Sequence, residues 1–314
     1  MPEFDVLVVG ELNVDLIFNQ MEAFPVTGKE VLANQMNLTM GSSSAIFASN
    51  LSSMGARVAF AGMIGRDSFG DLVISTLTRK EVDTRFIIRT NEFNTGATVV
   101  MNQDNDRAML TYPGAMTVLS LKDITEEMLT SARHLHVSSI FLQSGLKEDI
   151  VALMKRAKAM GMTTSLDPQW DPEEKWDIPW DDLFRFLDVF LPNKQEFLML
   201  TGESEINAAP GKFRDFHTVI VVKDGTNGAY ILHKNELIHQ PAFLNPSVID
   251  CIGAGDSFDA GFIYMFLQAR PLPQCLQYAN LMGALNTTAV GGTGAFESHG
   301  AMKQKALEMF NIHI

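Results

Sequence analysis

The stretch DCIGAGDSF occupies residues 250–258, and the apolar run DAGFIYMF follows it directly at residues 259–266. The apolar run predicts a buried helix that begins beside the glycines. Gly253 and Gly255 flank Ala254, and glycines at a helix start leave backbone N–H groups uncovered. Together with the helix dipole, these amides predict an anion site suited to a transferred phosphoryl group.

Asp256 lies in the first turn of the predicted helix, beside the expected anion site. Its carboxylate could accept a proton from an attacking hydroxyl group. The alternative is that Asp256 caps the helix and the glycines only close a tight turn. An isolated GAGD motif would favour this alternative, because short glycine motifs recur by chance.

Short β-branched runs alternate with segments of helical period along the chain, which is typical of βα units around a mostly parallel sheet. The pattern predicts one α/β domain spanning residues 1–314. The predicted strands cover residues 5–10, 57–64, 134–138, 162–167, 189–191 and 218–223. The predicted helices cover residues 43–54, 70–80, 147–160, 194–201, 255–268, 273–290 and 299–310.

Two stretches, residues 13–39 and residues 95–112, interrupt this alternation with short strands and turns. They could meet as a small β-lid over the carboxyl edge of the sheet, where open α/β folds bind ligands. An antiparallel extension of the sheet edge is the alternative.

Composition limits the class of protein. The chain has 314 residues, of which 46% are hydrophobic and 19% charged, so it is expected to fold rather than remain disordered. Its formal net charge of −13 would repel phosphate backbones and anionic lipids, so no nucleic-acid or membrane partner is expected. The amino terminus lacks the basic stretch of a signal peptide, and no apolar run approaches the ~20 residues of a spanning helix. Two cysteines, Cys251 and Cys275, give neither a disulfide framework nor a metal motif, and a cytoplasmic protein is expected.

The segment at residues 250–258 resembles the carboxyl-terminal signature DTxGAGDxF of the ribokinase-like, or PfkB, family of carbohydrate kinases, with Cys251 in place of threonine. Three further segments match the family in its usual order: GELNVD at 10–15, LPNKQE at 191–196 and VKDGTNGA at 222–229. The resemblance implies a ribokinase-like three-layer α/β/α domain with a mostly parallel central sheet and a small β-lid.

On the acceptor side, the resemblance implies that Asn13 and Asp15 bind the sugar. They lie two apart on an extended segment, so both side chains share a face and can hold vicinal hydroxyls. The family motif GGxxxN aligns with Gly41, where Ser42 replaces the second glycine and Ile46 the asparagine. Two polar residues at strand ends complete the predicted substrate-binding set, Gln143 and Asp167.

On the nucleotide side, the resemblance implies four groups of residues. Asn193 and Glu196 share a helical face suited to orienting Mg²⁺ near the phosphates, although they could equally form a capping box. The other groups are a nucleotide-binding turn at Lys223, Gly225 and Gly228, an adenine site at Asn280, Gly283 and residues 291–294, and a monovalent-cation (K⁺) loop containing Asp250 and the Ile252 carbonyl.

The sequence therefore predicts an ATP- and Mg²⁺-dependent kinase that phosphorylates a primary hydroxyl of a small carbohydrate. Asp256 is the expected general base, and the amides around Gly253, Ala254 and Gly255 form the expected anion hole. Two alternatives stay open at this point: a nucleoside kinase of the same family, which the apolar Ile46 could favour, and a catalytically idle sugar-binding homologue. The inserted strands also predict a homodimer formed through the lid.

Overall fold

The computed structural model describes residues 2–103 and 106–314, except for the side chains of residues 106, 107 and 210. In chain order, the strands in these ranges are β1 (Val6–Val9), β2 (Asn13–Met21), β3 (Ala33–Met40), β4 (Val58–Gly65), β5 (Asp83–Thr90), β6 (Gly96–Gln103), β7 (Asp106–Tyr112), β8 (His134–Ser138), β9 (Thr163–Asp167), β10 (Val189–Phe190), β11 (Val219–Lys223), β12 (Ala229–His233) and β13 (Glu236–Gln240).

The helices, again in chain order, are α1 (Ser43–Ser53), α2 (Ser68–Arg79), α3 (Glu126–Ser131), α4 (Ser144–Lys147), α5 (Ile150–Ala159), α6 (Trp180–Phe184), α7 (Lys194–Thr201), α8 (Ala254–Leu267), α9 (Leu272–Asn286) and α10 (His299–Phe310). Five of these ten helices, α1, α2, α3, α7 and α10, begin at a residue whose side chain accepts from a free N–H group. Asp67 accepts from the amide of Gly70 at the start of α2, for example.

The large sheet has nine strands in the order β13-β12-β11-β10-β9-β8-β1-β4-β5. Its pairs from β11 to β5 are parallel, and β12 and β13 add an antiparallel hairpin at one edge. A second sheet, hereafter the small sheet, has four strands in the order β3-β2-β6-β7. Strands β2 and β6 are parallel, and the outer pairs are antiparallel.

Helices cover both faces of the large sheet and give three layers. Val6 and Val8 of β1 belong to the core that contains α1, α8 and α9, whereas Leu7 and Val9 belong to the core that contains α5. This division follows from the two-residue period of a strand, which sends alternate side chains to opposite faces. Because both faces are buried, the strand reads as a continuous apolar run.

The sequence predicts six strands of the large sheet within one residue of their bounds: β1, β4, β8, β9, β10 and β11. It misses β5, a partly exposed edge strand, and the β12–β13 hairpin. That hairpin turns at Lys234 and Asn235, both with positive φ, without the glycine that usually marks such a turn. The helix predicted at 147–160 is interrupted between α4 and α5, and the one predicted at 273–290 ends at Asn286.

The parallel strands bring their carboxyl ends to one edge of the large sheet, and the small sheet begins three residues after β1 on that side. Residues that follow β1, β8, β9, β10 and β11 are therefore neighbours, although up to about two hundred positions separate them in sequence. Within the described residues, no helix combines the length and the apolar character needed to cross a bilayer.

Candidate active site

A cavity of about 950 Å³ lies at this edge, bounded by residues from both sheets and from the amino-terminal turns of α1 and α8. Of the predicted site residues, the following line it: Asn13, Asp15, Ser42, Ile46, Asn193, Glu196, Lys223, Gly225, Gly228, Ile252, Gly253, Ala254, Gly255, Asp256 and Asn280. The fold thus gathers residues of the predicted acceptor, phosphate and nucleotide groups into one space.

The anion turn is formed where the chain enters α8. Gly253 is the residue before the helix and has φ 76°, a left-handed conformation that favours glycine. Within the described chain, the backbone amides of Gly255 and Asp256 donate no hydrogen bond. They are therefore available to an anion at the positive end of the helix dipole.

Tight packing holds this turn in place. A Cβ atom at Gly253 would lie 2.5 Å from the Cα of Gly292, and one at Gly292 would lie 2.4 Å from Cδ1 of Ile46. Ile46 is 3% exposed and packs between the two glycines while also lining the cavity. The structure therefore places Ile46 against the anion turn as well as in the lining of the cavity.

Asp256 is 7% exposed and lies beside the free amides. Its Oδ1 is 3.3 Å from Nε2 of Gln169, and the Ser43 side chain also donates to it. Burial, followed by the charge of Asp167, raises the pKa of Asp256 to about 7, against the opposing effects of Lys223 and Ser43. A carboxyl group with this pKa can take and release a proton near neutral pH.

On the acceptor side, Asn13 holds its neighbours by hydrogen bonds. Its Nδ2 donates to Asp15 Oδ1 at 3.0 Å and to Thr98 Oγ1 at 3.2 Å. The Gly41 amide donates to the Asn13 carbonyl at 3.0 Å, so the entry to α1 is fixed to β2. Asn13 and Asp15 point into the cavity together, as their two-residue spacing predicts.

Glu11 lines the cavity, although no pattern in the sequence predicts a role for it. It is 2% exposed, its Oε1 accepts from the Ser44 amide at 3.1 Å, and its carbonyl accepts from Ser42 Oγ at 2.6 Å. Burial raises the pKa of Glu11 to about 7, although hydrogen bonds from Ser44 oppose the rise. The carboxyl group thus ties the serine-rich entry of α1 to the end of β1.

Asn193 and Glu196 form a capping box at the start of α7. The Asn193 amide donates to Glu196 Oε2 at 2.8 Å, and the Glu196 amide donates to Asn193 Oδ1 at 2.9 Å. Both residues also line the cavity. Burial and then the charge of Asp167 raise the pKa of Glu196.

Lys223 ends β11, with its side chain 12% exposed. Its Nζ donates to Asp167 Oδ2 at 3.0 Å and to Asp259 Oδ2 at 2.9 Å. Burial alone would lower the pKa of Lys223, but the charges of Asp167 and Asp259 raise it, so it is a cation. The two aspartates are each 1% exposed.

The remaining nucleotide-side residues lie around the entrance to α8 and along α9. Asn280 lines the cavity, and its Nδ2 donates to the carbonyl of Gln240 at 3.1 Å. Gly283, one turn further along α9, packs against Ala254 and Phe258 instead of lining the cavity.

The predicted cation loop is closed by hydrogen bonds within the chain. The Asp250 carboxylate accepts from the amides of Ile252 and Gly291, each at 2.9 Å. The Ile252 carbonyl accepts from Asn286 Nδ2 at 2.6 Å. These bonds join the anion turn to residues 291–294.

Three predicted substrate residues do not line the cavity: Gly41, Gln143 and Asp167. Gln143 is fully buried, and its Nε2 donates to the Ser138 carbonyl at 2.7 Å, so it braces the turn after β8. Asp167 is held by Lys223 and by Gln169, whose Nε2 lies 2.7 Å from Asp167 Oδ2. Gln169 itself lines the cavity, and its only sequence signal is its position two residues after a buried strand.

A family model described as "pfkB family carbohydrate kinase" matches residues 3–298. The chain is 28% identical over 235 residues to an uncharacterized sugar kinase of Archaeoglobus fulgidus, covering 74% of this chain and 92% of the relative. It is 26% identical over 291 residues to an ATP-dependent ribose-1-phosphate kinase of Halopiger xanaduensis, covering 92% and 94%. The structure of Arabidopsis thaliana ribokinase complexed with ribose and ATP is similar with a TM-score of 0.82 and 22% identity, covering 96% of this chain and 98% of that chain. Since the family match spans nearly the whole length, the chain belongs to the pfkB family of carbohydrate kinases.

Proposed function

We propose that this ATP-dependent sugar kinase uses Asp256 as the general base for phosphoryl transfer to a primary hydroxyl of a small carbohydrate. The observation that supports this most directly is the position of Asp256. Its buried carboxyl group lies beside two unbonded amides, in the same cavity as the paired polar residues Asn13 and Asp15.

In the proposed reaction, the acceptor hydroxyl attacks the γ-phosphorus while its proton passes to the Asp256 carboxylate. The bond from the γ-phosphorus to the bridging oxygen breaks, and ADP leaves. The amides of Gly255 and Asp256 stabilise negative charge on the transferred group, and the α8 dipole adds to this effect. Asn13 and Asp15 orient the acceptor by hydrogen bonds to its other hydroxyls.

We propose Mg²⁺ as the partner of the nucleotide, because the ion neutralises charge on the β- and γ-phosphates. The residues fit it: Glu196 and Asp256 bring carboxyl groups to the cavity, and burial and then the charge of Asp167 raise the pKa of Glu196, against the opposing charge of Lys223. In the described residues, no cluster of three or more ligating side chains could hold a metal directly. Asn193 and Glu196 would therefore orient an ion held mainly by phosphate oxygens and water.

A potassium ion at the loop of Asp250 and Ile252 stays a proposal that the family resemblance supports. The oxygens of both residues already accept hydrogen bonds within the chain. No step of the proposed reaction depends on this ion, and turnover measured in potassium and in choline salts of equal ionic strength tests it.

We further propose that the acceptor is uncharged. The carboxyl groups of Glu11, Asp15 and Asp256 face the acceptor end of the cavity. Among the cavity residues whose side chains are described, Lys223 is the one base, and its ammonium group is bound to two aspartates. An acceptor that carries a phosphate or carboxylate would thus meet like charge without a compensating cation.

The small sheet is proposed to act as a lid within a single domain. Thr98, Val100, Met109 and Thr111 of its strands line the cavity, as do the residues at the start of α8. A lid of this kind would exclude water from the reacting groups and would hold the acceptor against Asp256.

Replacing Asp256 with asparagine tests the base. The variant keeps the shape of the side chain but loses the proton acceptor, so kcat should fall about 10²- to 10⁴-fold while ATP still binds. Asp71→Asn is a matched control, because Asp71 also lies in the first helical turn, on α2, but is exposed. Turnover by the folded Asp256→Asn variant close to that of the wild type would contradict the assignment.

A screen of possible acceptors, in which ADP release is measured with free sugars and with nucleosides, should precede this test. The same screen separates a sugar kinase from a nucleoside kinase and from an idle sugar-binding homologue. Measured ADP release with a nucleoside, and none with free sugars, would identify a nucleoside kinase. Sugar binding without ADP release from any acceptor would identify an idle homologue and would remove the proposed reaction.

A further inference from the structure

Lys223 is the centre of a buried charge cluster outside the reacting groups. Its Nζ donates hydrogen bonds to two carboxyl groups, that of Asp167 from β9 at 3.0 Å and that of Asp259 from α8 at 2.9 Å. Both aspartates are 1% exposed, so neither carboxyl group is in contact with bulk water. The ammonium group therefore bonds two buried carboxyl groups and ties three elements together.

This cluster is connected to the proposed base by one side chain. Gln169 Nε2 lies 2.7 Å from Asp167 Oδ2 and 3.3 Å from Asp256 Oδ1. Gln169 has φ 57°, a left-handed conformation that is uncommon for a residue with a side chain. The amide group thus bridges a carboxylate that Lys223 holds and the carboxylate that must meet the acceptor.

A second connection runs along α8. Asp259 follows Asp256 by three residues, so the two carboxyl groups share one face of the helix. The bond from Lys223 to Asp259 fixes this face relative to β11 and β9. Lys223 is therefore linked to Asp256 both through Gln169 and through the helix that carries the base.

We propose that Lys223 is a positioning residue, which holds Asp167 and Asp259 so that Gln169 and α8 fix the Asp256 carboxylate toward the acceptor. The two aspartates take two of the three N–H donors of its ammonium group, which leaves at most one for a nucleotide phosphate. This proposal rests on the proposed role of Asp256 as the base.

The test compares Lys223→Met and Lys223→Arg with the wild type, using steady-state kinetics for ATP and acceptor and calorimetric binding of a non-hydrolysable ATP analogue. A misplaced base lowers the rate of the chemical step, so Lys223→Met should reduce kcat by about 10- to 100-fold. The KM for ATP and the analogue Kd should stay within about threefold of wild type. Lys223→Arg keeps the cation and should restore part of kcat.

Lys194→Met is the matched control. Lys194 also bonds an aspartate, Asp224, at 3.1 Å, but it is 43% exposed and does not line the cavity. Its replacement should leave kcat and both KM values near wild type, because among the described residues no hydrogen bond or ion pair connects it to Asp256.

If Lys223→Met does not fold, Asp259→Asn provides a second variant that tests the proposal. Positioning predicts the same selective loss of kcat. A nucleotide-binding lysine predicts the opposite, since release from Asp259 would strengthen ATP binding and leave kcat unchanged. Stronger ATP binding with an unchanged kcat in Asp259→Asn would overturn the proposal. A higher Kd for the ATP analogue together with a wild-type kcat in Lys223→Met would also overturn it.

The two proposals fail in different ways. Near wild-type turnover in Asp256→Asn removes the base itself, and the positioning role with it. A collapsed kcat in Asp256→Asn together with an unchanged kcat in Lys223→Met removes only the positioning role.

Discussion

The proton affinity of one carboxyl group, that of Asp256, sets the pH range in which the proposed reaction can run. Burial, and then the charge of Asp167, raises its pKa to about 7; Glu11 adds to the rise, and Lys223 opposes it. The base must be ionised to accept a proton, so kcat/KM should fall about tenfold per pH unit below pH 7. Rates measured from pH 5.5 to 8.5 check this, and a profile that stays flat down to pH 5.5 would contradict it.

The free energy of unfolding should also depend on the titration of Asp256, but it should fall as the pH rises, whereas kcat/KM rises. A carboxyl group whose pKa is higher in the folded state binds its proton more tightly there, so the folded protein loses stability as the pH rises through about 7. Asp256→Asn removes this loss. The Tm of the variant relative to wild type should therefore be higher at pH 8 than at pH 5.5, which thermal unfolding at both values measures.

Residues that carry motif chemistry could be found from the sequence, whereas their supporting partners could not. The GAGD glycines, Asp256 and Asn13 occur at recognisable spacings. Glu11 and Gln169 act through contacts made only after distant strands pair, and no local pattern distinguishes them from ordinary polar residues. Lys223 belongs to a recognisable turn, but its bonds to Asp167 and Asp259 depend on the packing of α8 against the sheet.

At the scale of elements, α1 presents one functional stripe. Ser43 contacts Asp256, Ile46 packs on Gly292, Asn50 Nδ2 donates to the Gly292 carbonyl at 2.8 Å, and Ser53 Oγ donates to the Phe296 carbonyl at 2.8 Å. Their spacing of three or four residues puts them on one helical face. The sequence predicts this helix almost to the residue, and it singles out residues 291–294 as part of an adenine site, but it does not predict that α1 packs on that segment.

Strand β7 of the small sheet carries a cavity residue, Met109, at which a positive charge can be introduced by substitution. Met109 is 66% exposed and lines the cavity, so Met109→Arg would add a cation there without disturbing a core. The kcat/KM of the wild type should be higher for ribose than for ribose 1-phosphate, and higher for glucose than for gluconate; each pair shares the reacting hydroxyl. Met109→Arg should lower each of these two kcat/KM ratios by about tenfold, which corresponds to the free energy of one charged hydrogen bond.

Met109→Gln is the control for that change, since it adds polarity of similar length without charge. A wild-type kcat/KM that is equal or higher for the anionic member of each pair would refute the uncharged acceptor.

At the scale of the whole molecule, one face of the small sheet carries an apolar row that is half-buried in its middle and exposed at its two ends. Register aligns Leu38, Leu16, Val99 and Leu110 in one row across its four strands, on the face opposite Asp15 and Thr98. Leu38 is 45% exposed and Leu110 is 68% exposed. We expect a second copy of the chain to cover this row, giving a homodimer.

Light scattering at micromolar concentration should give twice the mass of one chain. The double variant Leu38→Glu, Leu110→Glu should give the mass of one chain, because buried like charges would oppose association. A monomeric wild type would exclude this dimer.

The stripe on α1 has a thermodynamic consequence. Its first turn borders the cavity at the proposed acceptor residues, while its later turns hold the segment that contains the proposed adenine residues 291–294. Any shift of this helix that favours one ligand changes the free energy of binding the other, and linkage requires the two effects to be equal. If bound sugar changes the affinity for ATP by some factor, bound ATP must change the affinity for sugar by the same factor. A substitution on this helix face should therefore change both dissociation constants.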